Sequence, residues 1–362
     1  MSRRAPMKMF APGDLWTALR SAVPRALVSP EAFDRVVAVA RRLPECALWA
    51  SLECRLGAGE DRVDSSACVP AEEGGHEALL RHRDALLGEP LCGRSRGAWE
   101  RTLAFCAEWA EGGSPLAERV PFVFIEFDLD GAVGAGAPRE APPFVLFHLL
   151  PRCDGAPGVP PGTAITKAAA CRPAIERGLL LLDGHGPSPA VERSLRACLE
   201  ALPVEGSVAY AAPLSLRGSE AVRLMLILPR WQVVDYLRRI AWEGPLGEIE
   251  ADLATLPVPP SEVWFDLDVG ETVLPVVGLV FSYPADDPRW QVLLDRWVER
   301  GDCTPEKRDA VLAWPGREQV RLPGFRWPLG ARRTLVSKIV HRRGRRAEAK
   351  MYLEASCRFA LF

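Results

Sequence analysis

Alternation of apolar and polar side chains marks the strands of this chain. Over residues 263–268, Val263, Phe265 and Leu267 share one face and Trp264, Asp266 and Asp268 the other. Gly270 and Glu271 break the run, residues 276–281 form a second apolar strand, and Pro284 ends it, so the pair reads as a hairpin. Asp287-Pro288 then opens a segment with Trp290, Leu293, Leu294 and Trp297 on one helical face. The same cassette recurs along the chain. Residues 48–56 set Leu48, Ala50, Leu52, Cys54 and Leu56 against Trp49, Ser51, Glu53 and Arg55, and Gly57-Ala58-Gly59 turns the chain into a partner strand over 62–69. Further strands are predicted over 122–129, 144–150, 208–216, 222–228, 335–341 and 347–356. Helical spacing predicts helices over 14–20, 30–43, 77–87, 98–110, 163–182, 188–202, 231–242, 247–256, 289–300 and 305–314. Ser29, Ser188 and Thr304 each precede a proline and read as N-caps. Loops are predicted at 131–143, 153–161 and 315–330.

Five hairpins, each preceded by one or two helices, form an internal α-β-β repeat. One echo survives in sequence: Phe124-Ile125-Glu126-Phe127-Asp128 matches Trp264-Phe265-Asp266-Leu267-Asp268 as aromatic, apolar, acid, apolar, acid. Ten strands from five hairpins can close on themselves and abolish the edges of an open sheet. The fold class is therefore α+β: five repeats closing an antiparallel ten-stranded barrel, helices outside. Helices on the outside would cover the apolar strand faces and leave the polar faces to a lumen. Those polar faces carry Glu53, Arg55, Glu126, Asp128, Arg223, Asp266, Asp268, Lys350, Tyr352 and Glu354. A solid core would make them cost several kcal/mol per ion, whereas a solvated cavity does not. An open sheet with water on one face explains the alternation equally well, but not ten strands in five equal cassettes.

Composition narrows the function classes. The 362 residues are 48% hydrophobic and 25% charged, as for a globular chain, read here as a single domain of residues 1–362. A net charge of −2 offers no basic field, so neither nucleic acid nor membrane is expected as a partner. Met1-Ser2-Arg3-Arg4 has no apolar stretch behind it, so no signal peptide is expected, and the apolar runs at 179–182 and 224–228 are too short to span a bilayer. The ten cysteines form no C-x-x-C pair and sit among apolar neighbours, which points to buried thiols in a reducing cytoplasm. The five histidines show no zinc-site spacing.

Candidate chemistry lies on the polar strand faces. Lys350 and Tyr352 share a face and offer two donors to phosphate oxygens, or else form an ordinary solvated strand. Glu53 and Arg55 read as a base held ionised by its neighbour, or as a structural ion pair. The acid pairs Glu126/Asp128 and Asp266/Asp268 read as ligand-binding groups or as hairpin-end carboxylates satisfying turn backbone. His148 reads as hydrogen-bonded structure, the basic turn at 342–346 as solvated charge, and the tryptophans at helical spacing as helix-to-sheet packing.

The order of elements from residue 14 to 359 resembles the aromatic prenyltransferases of the ABBA, or PT-barrel, type, with Lys350-Met351-Tyr352 similar to that family's K-x-Y pairs. The resemblance implies a secondary-metabolism transferase that moves a prenyl group from an allylic diphosphate to an aromatic or peptide acceptor inside the lumen. It implies that Arg55, Arg223, Lys338, Lys350 and Tyr352 hold the diphosphate and that Glu53 positions the acceptor and takes its proton. Trp49, Phe124, Glu126, Tyr210, Trp264 and Asp266 would then line the acceptor or cation pocket. The chain departs from the family in having only four tyrosines to shield an allyl cation, with Trp49, Phe124 and Trp264 as substitute π faces. Its lumen acids would also repel a diphosphate unless Mg²⁺ bridges them, and no other cofactor is implied. The alternative expectation is a non-catalytic barrel of the same fold that binds a small ligand or peptide.

Overall fold

The computed structural model describes residues 8–88, 91, 93–129, 141–149, 167–255 and 262–359. The predicted loop at 153–161 and most of that at 131–143 lie outside these residues. Eleven strands of the described residues form one sheet: β1 (Trp49–Arg55), β2 (Val63–Pro70), β3 (Phe122–Phe127), β4 (Phe144–His148), β5 (Ser207–Pro213), β6 (Val222–Pro229), β7 (Glu262–Val269), β8 (Val273–Phe281), β9 (Gly316–Val320), β10 (Leu329–Arg342) and β11 (Arg345–Phe359). Each of β1 to β7 pairs antiparallel with the next, β8 pairs with β10, β10 with β11, and β11 with β1. Ten strands thus close a barrel. The extra strand, β9, pairs with Leu329–Arg333 of β10, past the point where β8 has ended.

Among the described residues twelve α-helices precede or follow the hairpins: α1 (Pro12–Ala18), α2 (Pro30–Ala40), α3 (Gly75–Arg81), α4 (Arg83–Gly88), α5 (Gly93–Trp109), α6 (Pro115–Arg119), α7 (Lys167–Asp183), α8 (Pro189–Glu200), α9 (Val233–Arg239), α10 (Leu246–Thr255), α11 (Arg289–Glu299) and α12 (Pro305–Leu312). The expected caps form: Ser29, Ser188 and Thr304 accept hydrogen bonds from the amides of Ala32, Val191 and Lys307. Among the described residues no helix is long and apolar enough to cross a membrane.

Two hydrophobic layers follow from the strand alternation. Outward residues such as Leu52, Ile125, Phe147, Leu224, Phe265 and Leu353 are essentially inaccessible and join the helices in one continuous core. Trp99 packs on Phe127, Phe105 on Phe147 and Tyr236 on Phe265. Trp99, Trp109, Trp290 and Trp297 are all buried, as their helical spacing predicts. At Gly178, α7 approaches β4 so closely that a methyl group would sit 2.7 Å from the Phe147 ring. A second, smaller cluster lies on the inward face around Phe144, Leu146 and Tyr210.

Several expectations need correction. The predicted loop at 315–330 contains β9 and the first residues of β10, and the last two strands run well beyond 335–341 and 347–356. The helix predicted over 77–87 divides into α3 and α4, and that predicted over 231–242 begins with a 3₁₀ turn (Arg230–Gln232) directly after Pro229. The basic turn is not merely solvated charge. Arg342 pairs with Glu348 at 2.7 Å, Arg343 with Glu243 at 3.0 Å and Arg346 with Asp302 at 3.1 Å.

Candidate active site in the barrel lumen

All twelve site residues expected from sequence lie on inward strand faces, and they sort into a charged part and an aromatic part. Register decides the first. Glu53 lies opposite Tyr352, and Arg55 opposite Lys350, across the β1–β11 ladder. Lys350 Nζ lies 2.9 Å from Glu53 Oε1, and an Arg55 nitrogen 3.1 Å from the same oxygen. Tyr352 adds a hydrogen bond to Glu53. Burial opposes ionisation of Glu53, yet Lys350, Arg55 and Lys338 outweigh it and hold the carboxyl well below the usual range. Although enclosed by the barrel, the Glu53 side chain keeps 18% of its exposure, so water reaches it. Burial and the neighbouring Glu53 push the Tyr352 phenol up, so it stays a donor.

Arg55 also binds Asp64 on β2 at 2.7 Å and Glu348 on β11 at 3.4 Å. Burial pushes Asp64 up to about 6 against the pull of Arg55, with Glu53 and Asp128 adding to the rise. Across the lumen, Arg223 grips Asp268 with two hydrogen bonds of 2.7 and 2.9 Å and lies 3.4 Å from Asp266. Lys338 completes this group by pairing with Asp266. Burial disfavours the Asp266 anion, but Lys338 and Arg223 keep it below its ordinary value. Lys338 itself is lowered, by burial and then by Arg223 and Lys350, against the opposing pull of Asp266.

Gly278 on β8 makes room for this group, because a Cβ there would collide with Asp266 Oδ1 and Lys338 Cε. Gly278→Ala is therefore expected to lower stability by about 1–3 kcal/mol through overpacking. Urea unfolding checks it, and an unchanged midpoint would contradict the close approach.

The second acid pair meets an arginine that sequence reasoning missed. Arg217, from the 3₁₀ turn Ser215–Arg217 between β5 and β6, binds Asp128 at 2.7 Å and Glu126 at 3.0 Å. Its guanidinium lies 3.8 Å from the Phe144 ring centroid. Burial raises Glu126 against the pull of Arg217. The acids that suggested Mg²⁺ in the sequence are thus engaged by arginines. Among the described residues no three His, Cys, Asp or Glu side chains gather as a metal site. Asp64 and Glu348 were also missed; both fall on the inward period of their strands and could have been read from it.

The aromatic part is continuous. Trp49 meets Phe122 and Phe124 edge-on at 5.4 and 5.7 Å, and Phe124 lies 5.7 Å from Tyr210. Tyr210 lies 6.2 Å from Trp264 and 4.7 Å from His148, which stacks on Phe122 at 4.4 Å. Burial holds His148 down at about 4, so it is neutral at physiological pH. The expected hydrogen bond is missing at Nδ1, which has no partner among the described residues.

A closed antiparallel ten-stranded barrel with helices outside and a polar, aromatic-lined interior is the PT-barrel fold. No protein-family model matches the sequence, and no curated protein does. Among solved structures, the apo form of the prenyltransferase PriB is similar at 15% identity and a TM-score of 0.53, over 97% of this chain and 98% of PriB. The ternary complex of PriB with L-tryptophan and dimethylallyl thiolodiphosphate is similar at 15% identity and a TM-score of 0.51, over the same 97% and 98%. The structure of 5-dimethylallyltryptophan synthase from Streptomyces coelicolor gives 12% identity and a TM-score of 0.47, over 94% of this chain and 95% of that one. At these identities the likeness is one of fold.

Proposed function

We propose that this chain transfers a prenyl group from an allylic diphosphate to an aromatic acceptor within the lumen. One observation carries the reading: Arg55, Arg223, Lys338, Lys350 and Tyr352 face a single interior that water reaches, beside a continuous aromatic wall. The cations and the phenol take the diphosphate oxygens, and Trp49, Phe124, Tyr210 and Trp264 present π faces to the allyl group. The allylic C–O bond breaks and its electron pair leaves with the diphosphate, which the cations stabilise. A ring carbon of the acceptor forms the new C–C bond, and Glu53 takes the proton that this carbon sheds. An arenium ion is a strong acid, so a carboxylate of depressed pKa suffices as the base. The reading extends to the cytoplasm as the place of reaction, in keeping with eight described cysteines that are all free and buried.

A second reading, a binding barrel without turnover, draws on a specific observation: each of these cations already has a carboxylate partner. The diphosphate must displace those carboxylates. Titration of Asp64 then governs affinity. Below about 6 the Asp64 carboxyl is neutral and the shortest of the three carboxylate contacts of Arg55 weakens, Glu53 and Glu348 remaining; above it the Asp64 anion competes with the ligand. Asp64→Asn keeps an acceptor for the Leu129 amide that Asp64 now binds at 2.9 Å. It should bind an allylic thiolodiphosphate like the unaltered protein at pH 5, and roughly tenfold more tightly than that protein at pH 8. Comparing the two proteins cancels titration of the ligand itself. Calorimetry that finds no binding by either protein at either pH would leave the second reading in place of the first.

A further inference from the structure

The inward carboxylates of the described strands differ in one respect. Glu53, Asp64, Glu126, Asp266, Asp268 and Glu348 each have an arginine or lysine within 4.0 Å. Glu354 has none among the described residues. Among the described residues its side-chain hydrogen bond comes from Thr334 Oγ1, at 3.1 Å. On β11 it lies opposite Ser51, between the Glu53–Tyr352 level and the Trp49–Ser356 level, at the join of the charged and aromatic parts. Its charge is felt across the lumen by Tyr210, whose phenol is raised by burial and then by Cys68, Glu354 and Glu126. Glu354 is half-buried, its carboxyl is raised by desolvation against the Thr334 hydrogen bond, and a cation brought by a guest supplies the charged partner it lacks among the described residues.

We propose that the lumen selects an aromatic acceptor that carries a protonated amine and no carboxylate, with Glu354 as the residue that binds the ammonium. This deepens the transfer reading by naming the acceptor class, and it rests on that reading. Two features at the same end of the barrel fit such a guest. The faces of Trp49, Tyr210 and Trp264 attract a cation that stands over them. The neutral His148, its Nδ1 without a partner among the described residues, packs its ring against Tyr210 in the same aromatic cluster. An acceptor with its own carboxylate would instead bring a further negative charge beside Glu354, with the lumen cations already engaged.

The test is calorimetric titration of the full chain, without any prenyl donor, with tryptamine, tryptophan and indole-3-propionate. The unaltered protein should bind tryptamine at least tenfold more tightly than either carboxylate-bearing compound, the scale of one buried charge-assisted hydrogen bond. Glu354→Gln keeps an oxygen for Thr334 and should erase that preference. Glu354→Leu, which removes the carboxyl altogether, should do the same and supplies a second variant if the first is unstable. Equal binding of the three compounds by the unaltered protein would overturn the proposal, as would a preference for the amine that survives both substitutions. Because the donor is absent, failure of diphosphate binding counts against prenyl transfer alone and is distinguishable from failure here.

Discussion

Arg223→Ala should cost the protein about 3 kcal/mol of stability. Two buried carboxylates depend on this guanidinium: Asp268 through two hydrogen bonds and Asp266 through a longer contact. Removing one member of a buried ion pair strands the other and typically costs about 3–5 kcal/mol. The lower end applies here, because Arg223 is 23% exposed and lumen water compensates part of the loss. Replacing both Arg223 and Asp268 by leucine should be less damaging than Arg223→Ala, since no uncompensated Asp268 charge then remains. Urea denaturation of the single and double variants measures both effects. A single variant as stable as the parent would mean that Asp266 and Asp268 are solvated without Arg223.

Glu53→Gln should lower kcat by roughly 10²–10⁴, the range for loss of a general base. Its effect on the donor should run the other way. Glu53 now occupies Lys350 and Arg55, so an uncharged amide frees both for the diphosphate. The expected signature is a large fall in turnover with donor affinity unchanged or improved, read from single-turnover kinetics and a parallel binding titration. Equal losses in turnover and donor binding would make Glu53 a structural member of the cation cluster and not the base.

Much of the fold was legible because two periods differ. Strand alternation at 48–56, 222–228 and 263–268 separates an outer apolar face from an inner polar one, and the structure keeps each residue on the face its period assigns. Ser29, Ser188 and Thr304 before prolines mark helix starts for a local reason, a side-chain oxygen that satisfies a free amide. What was not legible depends on long-range pairing. The segment Gly316–Val320 is polar and alternates weakly; it is a strand because β10 offers it an open edge. Arg332 and Arg333 precede the strand predicted from 335, and Arg345 and Arg346 belong to the predicted basic turn, yet all four lie within the paired ends of β10 and β11.

The same boundary runs through the site. Alternation alone puts Glu53, Arg55, Lys350 and Tyr352 on inward faces. That Lys350 meets Glu53, or that Lys338 meets Asp266 across β8, follows only from register and from which strands are neighbours. Arg217 gave no signal at all. An arginine before a turn glycine is ordinarily solvated, and only the chain path brings this one under β3 to neutralise Glu126 and Asp128. His148 gave a misleading one: a strand histidine suggested a satisfied imidazole, but its neighbours Phe122 and Tyr210 present rings to it.

The most direct measurement of the central claim is product analysis by mass spectrometry after incubation of the full chain with dimethylallyl, geranyl or farnesyl diphosphate and a panel of indole and phenol amines. The account predicts an acceptor heavier by one prenyl unit, released diphosphate in equal amount, and loss of both in Glu53→Gln. Diphosphate that binds and is recovered intact with every donor and acceptor would contradict it.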